Sequence, residues 1–496
     1  MTWWQNIPFF LVWTPLACAS VTAVLSPKVS RFLILLFPAL CAAFAAILTA
    51  FCLRAGAAFT FSMGVFGAPY GNELRAGTLE AVLATVFSVI MLFSLLGGWN
   101  RLNVHIPRQR LGLYCVMVML LLSGMMAEVF TNDMFTAYVF IEIMTIAACS
   151  LIMARDRGRT LFAATKYMIF NLLGSGLFLL GLSILYCLTG NLLMVDLHEK
   201  VVALIAEGAH LNSLTLAVAL ITIGLAVKSA LYPFHGWLPD AYASCTPASS
   251  AMLSSLISKT YIFLFIKFVV RVIGLENLDV IHLRPILLVC AVASILLGSV
   301  GAILEKKLRR MIAYSSVAQI GYIYLGIAVG TELGIAAAVF HIIAHALAKS
   351  LLFLTGDRLI GASDGDAHFK ELRGAGFRAP MSGAAFTAGA LSIVGIPLFA
   401  GFASKLYLSQ ACLDMSPRRA VISLAVLAIS TALNAAYFLV TVITLYRTPT
   451  HEYQTRLHHR WYSNAALAAQ AVLLLLVGLL GHDIFSIIRS GIQYLG

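Results

Sequence analysis

Runs of apolar residues long enough to cross a bilayer recur from one end of this 496-residue chain to the other. A helix needs about 20 such residues to traverse the hydrocarbon, and within it every backbone polar group must be satisfied. About fourteen spans are predicted, over 7–25, 31–53, 80–98, 112–130, 134–153, 162–187, 213–233, 247–270, 285–304, 311–330, 333–355, 382–404, 420–446 and 464–481. With 61% hydrophobic residues, 11% charged residues and a mean hydropathy of +0.93, the chain lies far outside the range of soluble domains. The expected fold class is an all-α polytopic membrane protein. The first span lacks a basic flank and a small-residue cleavage site, so it reads as a retained helix and the mature chain as the whole chain.

Several function classes are excluded. The net charge of +12 comes from basic residues in short loops, where they set orientation rather than bind nucleic acid. The nine cysteines include no Cys-x-x-Cys pair, and no glycine-rich dinucleotide fingerprint follows a strand. No metal site and no cofactor are therefore expected, and no residue is given a catalytic role.

Lys and Arg alternate in density from loop to loop: nineteen lie on the side that holds loops 1–2, 3–4 and so on, against eight on the side that holds the termini. The positive-inside rule makes the first side cytoplasmic and places both termini outside. The chain also matches itself at a shift near 175. GSGLFLLG at 174–181 faces KSLLFLTG at 349–356, Lys228 falls on Lys405 and Tyr261 on Tyr437. Spans 4–8 thus read as repeated in spans 9–13, and five being odd, the second copy is inverted. The expected units are 1–111 (helices 1–3), 112–271 and 272–447 (the two five-helix repeats) and 448–496 (a C-terminal helix). Pro233 and Pro397 are expected to break one helix in each repeat, and freed carbonyls there must face protein or water.

A charge at a helix centre costs roughly 2.5–3.5 kcal/mol on insertion scales, so ionisable residues inside spans need a reason. Glu142, Lys228, Lys259, His345, Lys349 and Lys405 form the expected proton pathway. His235, Asp240 and His341 are candidates for the pathway or its entrance. His341, His345 and Lys349 stack at i, i+4 and i+8 on one helix face. Burial disfavours a lysine's charge and a nearby carboxylate favours it, so a Glu142–Lys228 pair that forms and separates would switch a proton. Lys166 and Lys267 lie near span ends and read as snorkelling. Glu128 and Asp133 flank a very short loop and read as solvated, and KKLRR at 306–310 reads as an orientation signal.

The segments TNDMFTAYVFIEIMTIAACSLIM (131–153), KSALYPFHGWLPDAYASCTP (228–247), AYSSVAQIG (313–321), HIIAHALAKSLLFLTG (341–356) and PLFAGFASK (397–405) together resemble the antiporter-like membrane subunits of respiratory complex I. They look closer still to the D-type subunit of Mrp sodium/proton antiporters and its relatives in membrane-bound hydrogenases. The resemblance covers roughly 75–445. It implies that Glu142, Lys228, Lys259, His345, Lys349 and Lys405 form a hydrated midplane axis, with proton transfer driven by partner subunits. Two positions depart from the pattern: Tyr242 stands where histidine is frequent, and Gly77 where an acidic residue is usual.

The resulting expectation is a proton-translocating subunit, with sodium exchange left open, in the cell inner membrane. It would serve a multisubunit Mrp-type antiporter or a complex I-like or hydrogenase membrane arm, alongside other membrane subunits. The chain is not expected to be a redox enzyme alone. The alternative is a proton-coupled transporter of another substrate, such as inorganic carbon, with a soluble partner.

Overall fold

The computed structural model describes residues 3–63, 72–155, 158–449 and 460–495. The chain opens with α1 (Ile7–Thr22) and α2 (Pro27–Ala55), then strands β1 (Phe59–Met63) and β2 (Asn72–Ala76), and then α3 (Thr78–His105). Next come α4 (Leu111–Phe130), α5 (Met134–Met153), α6 (Gly158–Thr189), the short α7 (Met194–Glu207) and α8 (Leu211–Ser229). After α9 (Leu238–Ser244), the stretch from α10 (Pro247–Met252) to α11 (Ser258–Phe268) is joined by a π-turn at Leu253–Ile257 and followed by a second at Val269–Ile273. The second half holds α12 (Leu283–Leu304), α13 (Leu308–Val329), α14 (Glu332–Gly361), α15 (Ala375–Arg378), α16 (Pro380–Val394), α17 (Ala400–Cys412), α18 (Pro417–Leu445), α19 (Trp461–Leu479) and α20 (Gly481–Gln493).

Among the described residues, eleven helical stretches are long and apolar enough to cross a membrane, so length and composition do not reach the expected fourteen. The three remaining predicted spans fall on α1, which has only 16 residues, on the π-interrupted 247–270 stretch, and on 382–404, where the helix is broken. The antiparallel hairpin of β1 and β2, with Phe59 opposite Ala76, holds the only strands among the described residues.

Two helices form the centre. The apolar stretch of α14 is entirely buried and that of α13 nearly so, whereas α2 and α19 bury only 28% of theirs. A helix that is apolar on every face must be surrounded, and α14 packs on α3, α10, α13, α16, α17, α19 and α20. Its C-terminal end is pinned by charge. Asp357 pairs with Arg309 of α13 and, at 3.2 Å, with Arg101 of α3, while Arg358 donates to Gly97 and Ser463 carbonyls at 3.1 Å. Asp357→Asn leaves two guanidiniums without their carboxylate, and is expected to cost about 3–5 kcal/mol, the penalty of halving a buried pair. A melting temperature in detergent equal to that of the unsubstituted chain would show the cluster to be idle.

Both proline-flanked helices stop in the same way. Ala230 closes α8 in the left-handed region (φ 62°), with Ala230 N donating to Val227 O at 3.2 Å and Leu231 N to Ala226 O at 3.0 Å. Gly395 closes α16 likewise (φ 89°), with Gly395 N donating to Ser392 O and Ile396 N to Leu391 O, each at 3.0 Å. This paired C-terminal motif satisfies carbonyls that would otherwise be orphaned in hydrocarbon. The breaks match Ala230 to Gly395, a smaller shift than the one that aligned the lysines. Lys228 consequently lies just before its break and Lys405 after its own.

Candidate functional site

Close helix packing places the first charged pair. A Cβ at Gly224 of α8 would lie 2.6 Å from the Gly174 carbonyl of α6, so only glycine permits the approach. Lys228, one turn beyond Gly224, is thereby pressed past α6 towards α5. Its side chain is 0% exposed, and its Nζ lies 3.6 Å from Glu142 Oε1 and donates to Thr145 Oγ1 at 3.0 Å. The Ser175 hydroxyl donates to Glu142, and the Tyr261 ring centroid is 5.6 Å from the ammonium. The two ends differ in one respect: the Glu142 side chain is 24% exposed on the flank of the molecule.

Lys259 follows the first π-turn, which releases carbonyls from the regular ladder. The buried ammonium takes one of them, donating to Ser254 O and, at 3.3 Å, to Ser258 Oγ. Tyr242 donates its hydroxyl to Leu253 O at 3.0 Å, so at the position where the resemblance implies histidine a phenol steadies the same π-turn.

Along α14 the histidines and the lysine share one buried face. The rings of His341 and His345 lie parallel, within 7°, with centroids 5.9 Å apart. His341 Nδ1 meets Ser404 Oγ at 2.6 Å. Lys349 donates to Ile312 O at 2.8 Å and to the Ser315 hydroxyl. His341 Nε2, both ring nitrogens of His345 and Gln319 Nε2 are buried without a hydrogen-bond partner. Gln319, His341, His345 and Lys405 line a cavity of about 10 Å³, at the lower edge of what one water needs. Lys405 Nζ donates to Val394 O at 2.8 Å, the last turn of α16, and to Thr431 Oγ1 at 3.1 Å. The break after α16 thus presents a carbonyl that the lysine of α17 occupies.

His235 and Asp240 lie apart from these groups, after the α8 break. Asp240 bridges Lys166 and Arg310, each at 2.7 Å, and opens on a charged vestibule of about 1280 Å³ lined also by Arg159, Lys306, Tyr314 and His368. The His235 ring lies 6.4 Å from Tyr314 and its Nδ1 is unpartnered.

Three residues depart from their expected environments. Lys166 does not simply snorkel but ends in the Asp240 ion pair. Lys267 is fully buried and donates to the carbonyls of Glu128 (2.6 Å), Thr131 (2.9 Å) and Val129 (3.2 Å). An ammonium at a helix C-terminus satisfies orphan carbonyls and the negative end of the dipole, which outweighs reaching for the interface. Glu128 is not solvated: it is fully buried and both carboxyl oxygens lack a hydrogen-bond partner. One signal was available for this pair. Lys259 and Lys267 are eight apart, the spacing that singled out His341 and Lys349, so both face the same interior.

A bundle of membrane-spanning helices, two of them broken in matching fashion beside buried lysines, defines a polytopic ion-handling membrane protein. The chain belongs to the NADH:quinone oxidoreductase/Mrp antiporter transmembrane family, which matches residues 131–433. It is 34% identical to the N subunit of the NADH-quinone oxidoreductase of Desulforudis audaxviator, over 87% of this chain and 85% of that one. It is 30% identical to the D-type subunit of the Na(+)/H(+) antiporter of Bacillus subtilis, over 71% of this chain and 69% of that one. A chain in the Mrp complex from a Dietzia species shares its fold, with a TM-score of 0.87, 23% identity and complete coverage of both chains.

Proposed function

We propose that this protein is a proton-translocating membrane subunit of a multisubunit ion-translocating assembly. Protons would pass along Glu142, Lys228, Lys259, His345, Lys349 and Lys405, with His341 beside them and His235 and Asp240 at a cytoplasmic entrance. The observation that carries the reading is the Glu142–Lys228 pair, 3.6 Å apart, with the Lys228 side chain fully buried. Intramembrane ionisable residues are expensive and are kept where ions move. Kinship with one subunit of an oxidoreductase and one of a sodium/proton antiporter supports both the activity and the need for other membrane subunits. So does the 24% exposure of Glu142, because a carboxylate on a lipid-facing flank is costly unless a neighbouring subunit covers it.

The two five-helix units, 112–271 and 272–447, would be related by inversion, which the matching hydrogen bonds at Ala230 and Gly395 support. The excess of Lys and Arg on alternate loops supports both termini lying outside. Lys349→Met keeps the bulk of the side chain and removes its proton. In inverted vesicles containing the assembled complex, proton transport is expected to fall about a hundredfold, the low end of what a positioned proton-transfer group contributes. Transport close to that of the unsubstituted complex would refute the axis.

A further inference from the structure

The six-residue axis leaves one buried carboxyl unused. Glu128 sits two residues from the end of α4, 0% exposed, with neither oxygen hydrogen-bonded. Lys228, Lys267 and Tyr261 all lie within its electrostatic reach, and Tyr261 lies likewise within reach of Glu142. The Glu128 carboxyl therefore feels the charge of both Lys228 and Lys267 without closing a hydrogen bond to either. An unpaired carboxyl in such a place is expensive, and packing alone would favour an apolar residue.

From Glu128 a line of polar groups continues to the face on which α4 ends. Lys267 is held by the carbonyls of Glu128, Val129 and Thr131. Asn132 is fully buried, donates to the carboxylate of the half-buried Glu73, and leaves its own Oδ1 unpartnered. The Nη2 of buried Arg271 is also unpartnered.

We infer that Glu128 is a further proton-holding residue of this chain, and that it opens a branch from the Lys228–Glu142 pair to the membrane face at which Asn132 and Glu73 lie. The Lys228 ammonium gives up a proton that a water molecule relays to the Glu128 carboxylate, leaving an amine and a carboxylic acid. The acid then releases the proton to water or to Glu73. Lys267 keeps its own proton and acts as a positioning residue, its positive charge favouring the ionised form of Glu128 that accepts the next one. The inference rests on the proton-carrying function proposed above.

The test uses the assembled complex in vesicles, with Glu128→Gln, Glu128→Asp and Lys228→Ala measured together for proton flux and complex abundance. Glu128→Gln is expected to lower flux about tenfold or more at unchanged abundance, with Glu128→Asp recovering part of it. Difference infrared spectroscopy during turnover should lose a carboxyl signal in Glu128→Gln. Near-normal flux in Glu128→Gln beside a silent Lys228→Ala overturns the branch alone, and an unchanged infrared spectrum does the same. Normal flux in Lys228→Ala overturns the branch together with the function it rests on. If Glu128→Gln assembles poorly, Glu128→Met, of similar length and without a buried polar group, is read for the same outcomes.

Discussion

Glu142→Gln is expected to abolish ion transport while leaving the complex assembled. Glutamine keeps the length of the side chain and can still accept the hydrogen bond from Ser175, but it removes the only carboxylate within 4 Å of the Lys228 ammonium among the described residues. At 3.6 Å and an effective dielectric constant near 20, that attraction is worth about 4–5 kcal/mol before desolvation is subtracted. Without it, Thr145 and the face of Tyr261 are left to hold a cation in an apolar core, and a proton there is no longer taken up and released on demand. Lys228→Ala should be as inactive, and the double substitution no worse than either single one, because residues that act as a unit do not add. Proton flux in inverted vesicles, normalised to complex abundance, decides the matter. Near-normal transport by assembled Glu142→Gln complex would reduce the pair to packing.

A second large effect is expected from a methyl group. A Cβ on Gly401 would stand 1.7 Å from the Ser392 carbonyl oxygen and 2.7 Å from its carbon. Both are backbone atoms, so no rotamer relieves the clash, and α17 must move off the end of α16 by more than about 1 Å. Gly401 N also donates to Ser392 Oγ at 3.2 Å, and Lys405, one turn further along α17, donates to Val394 O at 2.8 Å. Displacing α17 therefore withdraws the lysine from the break. Gly401→Ala should lower the melting temperature in detergent and stop transport together. Gly176→Ala is the control, since on α6 a Cβ there meets nothing within 4 Å and helix propensity gains up to about 1 kcal/mol. Equal melting and transport for the two variants would show that the break tolerates slack.

The stripe of His341, His345 and Lys349 is legible in the sequence because helical spacing alone sets a common face, and α14 holds all three buried. Pro233 and Pro397 mark the unwound segments because proline cannot complete the ladder. Glu128 and Lys267 escape the sequence reading for one reason: nearness to a span end is not nearness to water. Depth along a helix says little about lateral burial, and here the ends of α4 and α11 face each other inside the bundle. The π-turns leave no trace either, because 247–270 reads as evenly apolar whether or not its ladder slips by a residue. The hairpin between α2 and α3 is invisible because two five-residue strands carry too little pattern to stand out in a loop.

The π-turn at Leu253–Ile257 bears on how this gene can change length. A π-turn amounts to one residue inserted into an α-helix, so deleting one residue there would restore the ordinary ladder with little loss of backbone bonding. Membrane helices rarely offer so inexpensive a deletion. Its consequence falls on everything downstream, which turns by about 100° relative to α10. Lys259 would leave the Ser254 carbonyl it now occupies, and Lys267 would leave the end of α4. The one extra residue thus acts as a reading frame for the helix, selecting which side chains of α11 face the interior.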